Sequence, residues 1–195
     1  MPAPAPKAPP CEVGGHTFKA HSSKGKEACG KLFLASLPLS GSVLYAGQYD
    51  KAIQHLKNAV ELDPKHSAYL TNLGLAHIQN GMIQEGLEEV KRAAEGSSSP
   101  SYPDLAYAYV KAGKPEEARG LLARLFQSSE GGRAHPVAIG GIYAALGERE
   151  KALEWLERAF EEHSAYPVGI NSDFVFESVQ DDPRFQSLLK KMNLA

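Results

Sequence analysis

Four glycines, Gly47, Gly81, Gly113 and Gly147, stand 34, 32 and 34 residues apart. A repeat of this period marks small supersecondary units that cannot bury an apolar face alone and must stack on one another. Other columns keep the same phase. Five residues after each glycine lies a small residue, Ala52, Gly86, Ala118 or Ala152. Four further on the column is apolar (Leu56, Val90, Leu122, Leu156), and three beyond it reads Ala59, Ala93, Leu125 and Ala159. Upstream, Leu39, Leu73, Leu105 and Ile139 share a column, followed by the small residues Ser40, Gly74, Ala106 and Gly140. Val43, His77, Tyr109 and Tyr143 form another. Leu73, Ala76, His77 and Asn80, like Ala152, Trp155, Leu156 and Ala159, follow the i, i+3, i+4, i+7 rhythm of one helical face. Each unit therefore reads as helix, glycine turn, helix. Glycine suits the turn because a helix C-terminus often needs positive φ. Asp50, Gln84 and Lys114-Pro115 open the second helices.

This pattern resembles the tetratricopeptide repeat, in Leu73-Gly74 with Gly81, Tyr143 with Gly147, and the run Gln48 to Pro64. The resemblance implies an all-α, right-handed solenoid of helical hairpins. Four repeats span about 33–66, 67–98, 99–132 and 133–164. Three departures stand out: Pro38 and Gly41 in the first helix, Gly86 where Ala is usual, and Ser97-Ser98-Ser99-Pro100 in place of an Asp-Pro entry. Asp182-Pro183 reads as N-cap then N1, with Phe185, Leu188, Leu189 and Met192 on one face. Residues 165–195 thus become a linker and a capping helix. The segment resembles the tail of bacterial arrays, including those at the C-termini of kinases and transcription regulators.

Residues 1–30 look different. MPAPAPKAPP and the Gly-, Ser- and Lys-rich stretch after it hold few large apolar side chains, so a disordered tail is expected. Cys11, His16, His21 and Cys29 lack the tight C-x2-C spacing of common zinc sites, and no metal or other cofactor is expected. Leu32 to Ala46 is largely apolar, but it starts late for an export signal and Pro38 and Gly41 interrupt it. It is also short for a membrane span. Two cysteines exclude a disulfide scaffold and fit a reducing compartment, the cytoplasm. A net charge of −2 gives no reason to expect nucleic acid or a membrane surface as partner.

No nucleophile elbow, phosphate loop, dinucleotide fingerprint or H-E-x-x-H occurs, and no two of the seven histidines share a helix face at i, i+4. The chain is expected not to be an enzyme. His77 reads as a packed core histidine and Trp155 as a packing residue for the capping segment. What remains is surface. The resemblance places the first helices on a concave face, where the columns between core positions are Thr71, Asn72, Leu75 and Gln79; then Pro103, Asp104, Tyr107 and Lys111; then Val137, Ala138, Gly141 and Ala145. Tyr107 is the natural anchor. The cationic clamp that holds chaperone C-termini is excluded, because Leu37, Gly41 and Asp104 stand where cations or Asn are wanted. The function expected is a scaffold or adaptor that takes a peptide or helix of another protein in this groove. One alternative is the regulatory or sensory C-terminal module of a bacterial signalling protein. In another arrangement the chain's own 165–195 segment packs on the array and reduces the groove. The sequence leaves the oligomeric state open.

Overall fold

A computed structural model describes residues 11–13, 16–18, 44, 47–128, 135–164, 170–171 and 173–193. Among the described residues eight α-helices follow one another: α1 (Tyr49–Leu62), α2 (Ser67–Gln79), α3 (Ile83–Glu95), α4 (Tyr102–Lys111), α5 (Pro115–Ser128), α6 (Pro136–Ala145), α7 (Arg149–Glu161) and α8 (Pro183–Lys191). A 3₁₀ turn, Phe174–Phe176, precedes α8. The pairs α2/α3, α4/α5 and α6/α7 are hairpins. Each first helix also packs on the first helix of the next unit, α2 on α4 and α4 on α6. The expected first helix of the first repeat lies outside the described residues except for Leu44, which is fully buried.

The four repeat glycines have φ of +75°, +84°, +73° and +74°. The backbone makes the same left-handed bend four times, and only a residue without Cβ does so freely. The repeated apolar columns form the core: Leu56, Val90, Leu122 and Leu156 on the second helices, and Leu73, Leu105 and Ile139 on the first, are all buried. The small columns set the helix spacing. A Cβ on Gly74 would lie 2.6 Å from the Gly86 carbonyl and 2.6 Å from Val90 Cγ2, and one on Gly86 would overlap the Gly74 carbonyl. The departure at Gly86 is thus the counterpart of Gly74, and backbone meets backbone between α2 and α3. Side chains join successive units at their turns, through Asn80 Nδ2 donating to Asp50 Oδ1 at 3.0 Å and Arg119 to Glu148.

The cap forms as its sequence implies. Asp182 Oδ1 accepts from the Arg184 N–H at 2.9 Å, Pro183 starts α8, and Phe185, Leu188 and Leu189 are buried. Arg184 reaches back to Glu157 (2.7 Å) and Glu150 (3.0 Å) on α7. Trp155 of α7 is half-buried against the core. Its ring lies 6.1 Å from Phe126 of the preceding repeat and under the Arg158 guanidinium.

Within the segment 1–30 the described residues are two three-residue strands. Strands β1 (Cys11–Val13) and β2 (His16–Phe18) pair antiparallel, with Glu12 opposite Thr17. The rest of that segment, with His21 and Cys29 of the weighed metal set, lies outside the described residues.

Candidate functional site

The first-helix face is divided into two parts that differ in exposure. At its N-terminal end, Thr71 and Asn72 of α2 and Asp104 of α4 share an open cleft of about 260 Å³. Ser67 and Ala68, Val90, Ala93 and Ala94 of α3, and the loop residues Ser97, Ser99, Pro100 and Ser101 also line it. Hydroxyls, an amide and a carboxylate thus surround a patch of small apolar side chains.

At the other end the chain covers itself. Residues 173–180, which we term the strap, lie across α4 and α6, with the 3₁₀ turn packed on both helices. The strap puts Phe176 where Gly141 leaves room: a Cβ on Gly141 would lie 2.9 Å from Pro103 and 3.5 Å from the Phe176 ring. Phe176 continues to Phe185 of the cap, ring centroids 6.1 Å apart. Ser178 Oγ donates to the Ala144 carbonyl at 2.7 Å, and Lys111 meets Glu177 at 3.3 Å. Ile170, Val175, Phe176 and Val179 are all at most 2% exposed. At roughly 1.5–3 kcal/mol for each large buried side chain, Val175, Phe176 and Val179 hold the strap down by on the order of 5–9 kcal/mol. The exposed Lys111–Glu177 pair adds at most about 1 kcal/mol.

The expected groove residues therefore separate. Thr71, Asn72 and Asp104 gather at the open cleft. Tyr107 is only 3% exposed, so it is neither a free anchor nor a rim residue. Its hydroxyl accepts from Gln79 Nε2 at 2.7 Å, and the Lys111 ammonium lies 5.1 Å from its ring centre. Leu75 and Gly141 are buried, and Val137 and Ala138 are half-buried against the core. A second cleft, of about 380 Å³, remains between the strap and α4 and α6, lined by Tyr107, Val110, Lys111, Ala144 and Phe174 among others. The sequence alone could not place the strap, because its contacts carry no period. Phe174 and Phe176, two aromatics just before the capping helix, were the only signal.

Two carboxyls on this face are raised by burial. Asp104 is pushed up to about 7, first by burial and then by the nearby charge of Asp173. A Ser101 hydrogen bond opposes this. Burial raises Asp173 as well, against a hydrogen bond from the Val175 N–H at 3.0 Å. Burial likewise pushes the Tyr107 phenol up. Elsewhere, His77 is packed in the core as its column implies, 3% exposed, with Nδ1 2.6 Å from Glu89 Oε2. Its Nε2 is buried with no hydrogen-bond partner among the described residues. Burial holds the Glu89 carboxyl above its ordinary value despite His77.

Residues 42–81 match the model of a TPR repeat, and residues 104–167 match that of a tetratricopeptide repeat. The chain belongs to the tetratricopeptide repeat family. Repeats of this family are protein–protein interaction modules, typical of scaffolds without catalysis. No curated protein matches the chain. Among the described residues no helix is long and apolar enough to cross a membrane. No group of three or more His, Cys, Asp and Glu among them could hold a metal ion.

Proposed function

We propose that this chain is a non-catalytic adaptor that takes an extended peptide segment of a partner protein along its first-helix face, entering at the cleft of Thr71, Asn72 and Asp104. The observation that supports this most is the division of that face. The strap crosses the part over the last two repeats and leaves a cleft only beside itself, whereas the cleft between the second and third units has no strap over it. An extended chain has unpaired amides and carbonyls, and Asn72 with the surrounding hydroxyls offers donors and acceptors for them. The small side chains Ala68, Ala93 and Ala94 leave room for one modest apolar side chain.

The test is affinity capture from native lysate with the full chain, read by mass spectrometry, alongside Thr71→Glu with Asn72→Ala. Both residues are partly exposed, so the fold tolerates these changes. A partner held by the wild type and by Phe126→Ala, at an exposed position on α5, but lost from the double variant supports the reading. A partner captured equally by all three contradicts it.

A further inference from the structure

The cleft at Thr71, Asn72 and Asp104 holds a carboxyl and no cation among the described residues that line it. We propose that the residue a partner peptide inserts there is a lysine, with its methylene stem on the small apolar side chains and its ammonium at Asp104. This rests on the groove reading above and names the chemistry that the groove selects.

The charge of the cleft is one-sided. Asp104 is the one charged side chain among the described residues that line it; the others are four serines, Thr71, Asn72, Pro100 and four apolar residues of α2 and α3. Asp104 is half-buried and belongs to no ion pair formed among the described residues. The elements around it hold no spare cation. Neither α2 nor α6 contains Lys or Arg. On α4, Lys111 stands two turns on and is engaged by Glu177. On α3, Lys91 is engaged by Glu88, and Arg92 is exposed and does not line the cleft. Asp104 also stands in the first turn of α4, where a carboxylate suits the positive helix end. That role and the Ser101 hydrogen bond leave most acceptor sites of its two oxygens open.

The rest of the lining says which cation fits. Lysine lays an apolar four-carbon stem on apolar surface and keeps its charged head among polar groups. That stem is the modest apolar group for which Ala68, Ala93 and Ala94 leave room. The Ser67 and Thr71 hydroxyls and the Asn72 carbonyl add acceptors beside Asp104 for the three donors of an ammonium. An acidic side chain would meet Asp104 with no cation between them, and a purely apolar one would desolvate the carboxylate without pairing it, so the cleft selects against both. Burial, followed by the charge of Asp173, pushes Asp104 up to about 7. An ammonium beside it acts in the opposite direction, so binding at neutral pH draws a proton off Asp104.

Selection of linear peptides from a random phage-displayed library on the full chain, followed by titration of the selected peptides, tests this. Peptides held by the wild type but not by Thr71→Glu with Asn72→Ala should share a lysine at one position. Replacing that lysine by norleucine, which keeps the stem and drops the charge, should weaken binding at least about tenfold. This change leaves the protein untouched, so folding does not enter. Asp104→Asn, which keeps an acceptor in the first turn, should weaken the lysine peptide as much, and on that variant the two peptides should bind alike. The carboxyl ¹³C titration midpoint of wild-type Asp104 should fall in the saturated lysine complex. Cleft-dependent peptides with no shared lysine, or equal affinity of the wild type for the lysine and norleucine peptides, would overturn the lysine and leave the groove standing. A selection that yields no cleft-dependent peptide would overturn the groove and the lysine with it.

Discussion

Gly86→Ala and Gly120→Ala are the same chemical change inside two second helices, and the structure gives them opposite signs. On helix propensity alone each should stabilise by about 1 kcal/mol. Gly120, on α5, is exposed, and a Cβ there meets nothing within 4 Å, so that gain is realised. At Gly86 the new Cβ overlaps the Gly74 carbonyl and lies 2.6 Å from Ile78 Cγ1 and 3.0 Å from Ile78 N. Two of those three atoms are backbone of α2, which no rotamer change can move. Relief requires the two helices to part, which opens the core around Leu73, Leu87 and Val90. Overpacking of this kind costs about 1–3 kcal/mol, and backbone contact puts it at the upper end. The net loss at Gly86 is then about 2 kcal/mol, after the propensity gain. For a chain of this size that lowers Tm by about 4–8 °C, whereas Gly120→Ala raises it by about 2–4 °C. Thermal unfolding followed by circular dichroism at 222 nm measures both. A rise in Tm for Gly86→Ala, matching that of Gly120→Ala, would refute the close approach of α2 and α3.

Further substitutions probe the turn, the cap and the buried carboxylate. Gly113→Ala should cost about 1–2 kcal/mol in urea unfolding although no atom lies within 4 Å, because φ is +73° and the strain is in the backbone. Gly113→Asn should recover part of that loss. Asp182→Ala removes the acceptor for the Arg184 N–H and should cost about 1 kcal/mol, read by the same unfolding assay. The Glu89 carboxyl is raised by burial, so its contribution to stability is fully present below the ordinary value and is lost as pH rises through the folded one. Glu89→Gln should therefore raise Tm at pH 8 and change it little at pH 4, which thermal melts at the two pH values will show.

The parts of the fold that could be read from the sequence are those with a period or a local chemical signature. Positive φ admits few residues, so the four glycines marked the four bends before any coordinates were known. The Asp-Pro pair before Phe185 marked the start of the cap for similar reasons. His77 took the place of an aromatic in its column and is buried there. The strap could not be read this way. Lys111 and Glu177 stand far apart in sequence, and no spacing rule relates them. Tyr107 sits in a column that faces the concave side, and it counts as open only if nothing else in the chain lies there. Gly141 showed the same ambiguity. A small residue in a groove column can leave room for a partner, or for the chain's own Phe176.

The position of Phe176 tests most directly the idea that the stacked hairpins keep one cleft clear while the chain's own strap crosses the rest of the first-helix face. Nuclear Overhauser effects in the full-length protein, with Phe176 and Gly141 selectively labelled, report it. Strong cross-peaks from the Phe176 ring to the Gly141 α-protons and to Pro103 are expected, since the ring tip lies 3.5 Å from where a Cβ on Gly141 would be. Their absence from an otherwise folded, helical chain would place the strap elsewhere and leave the whole first-helix face open.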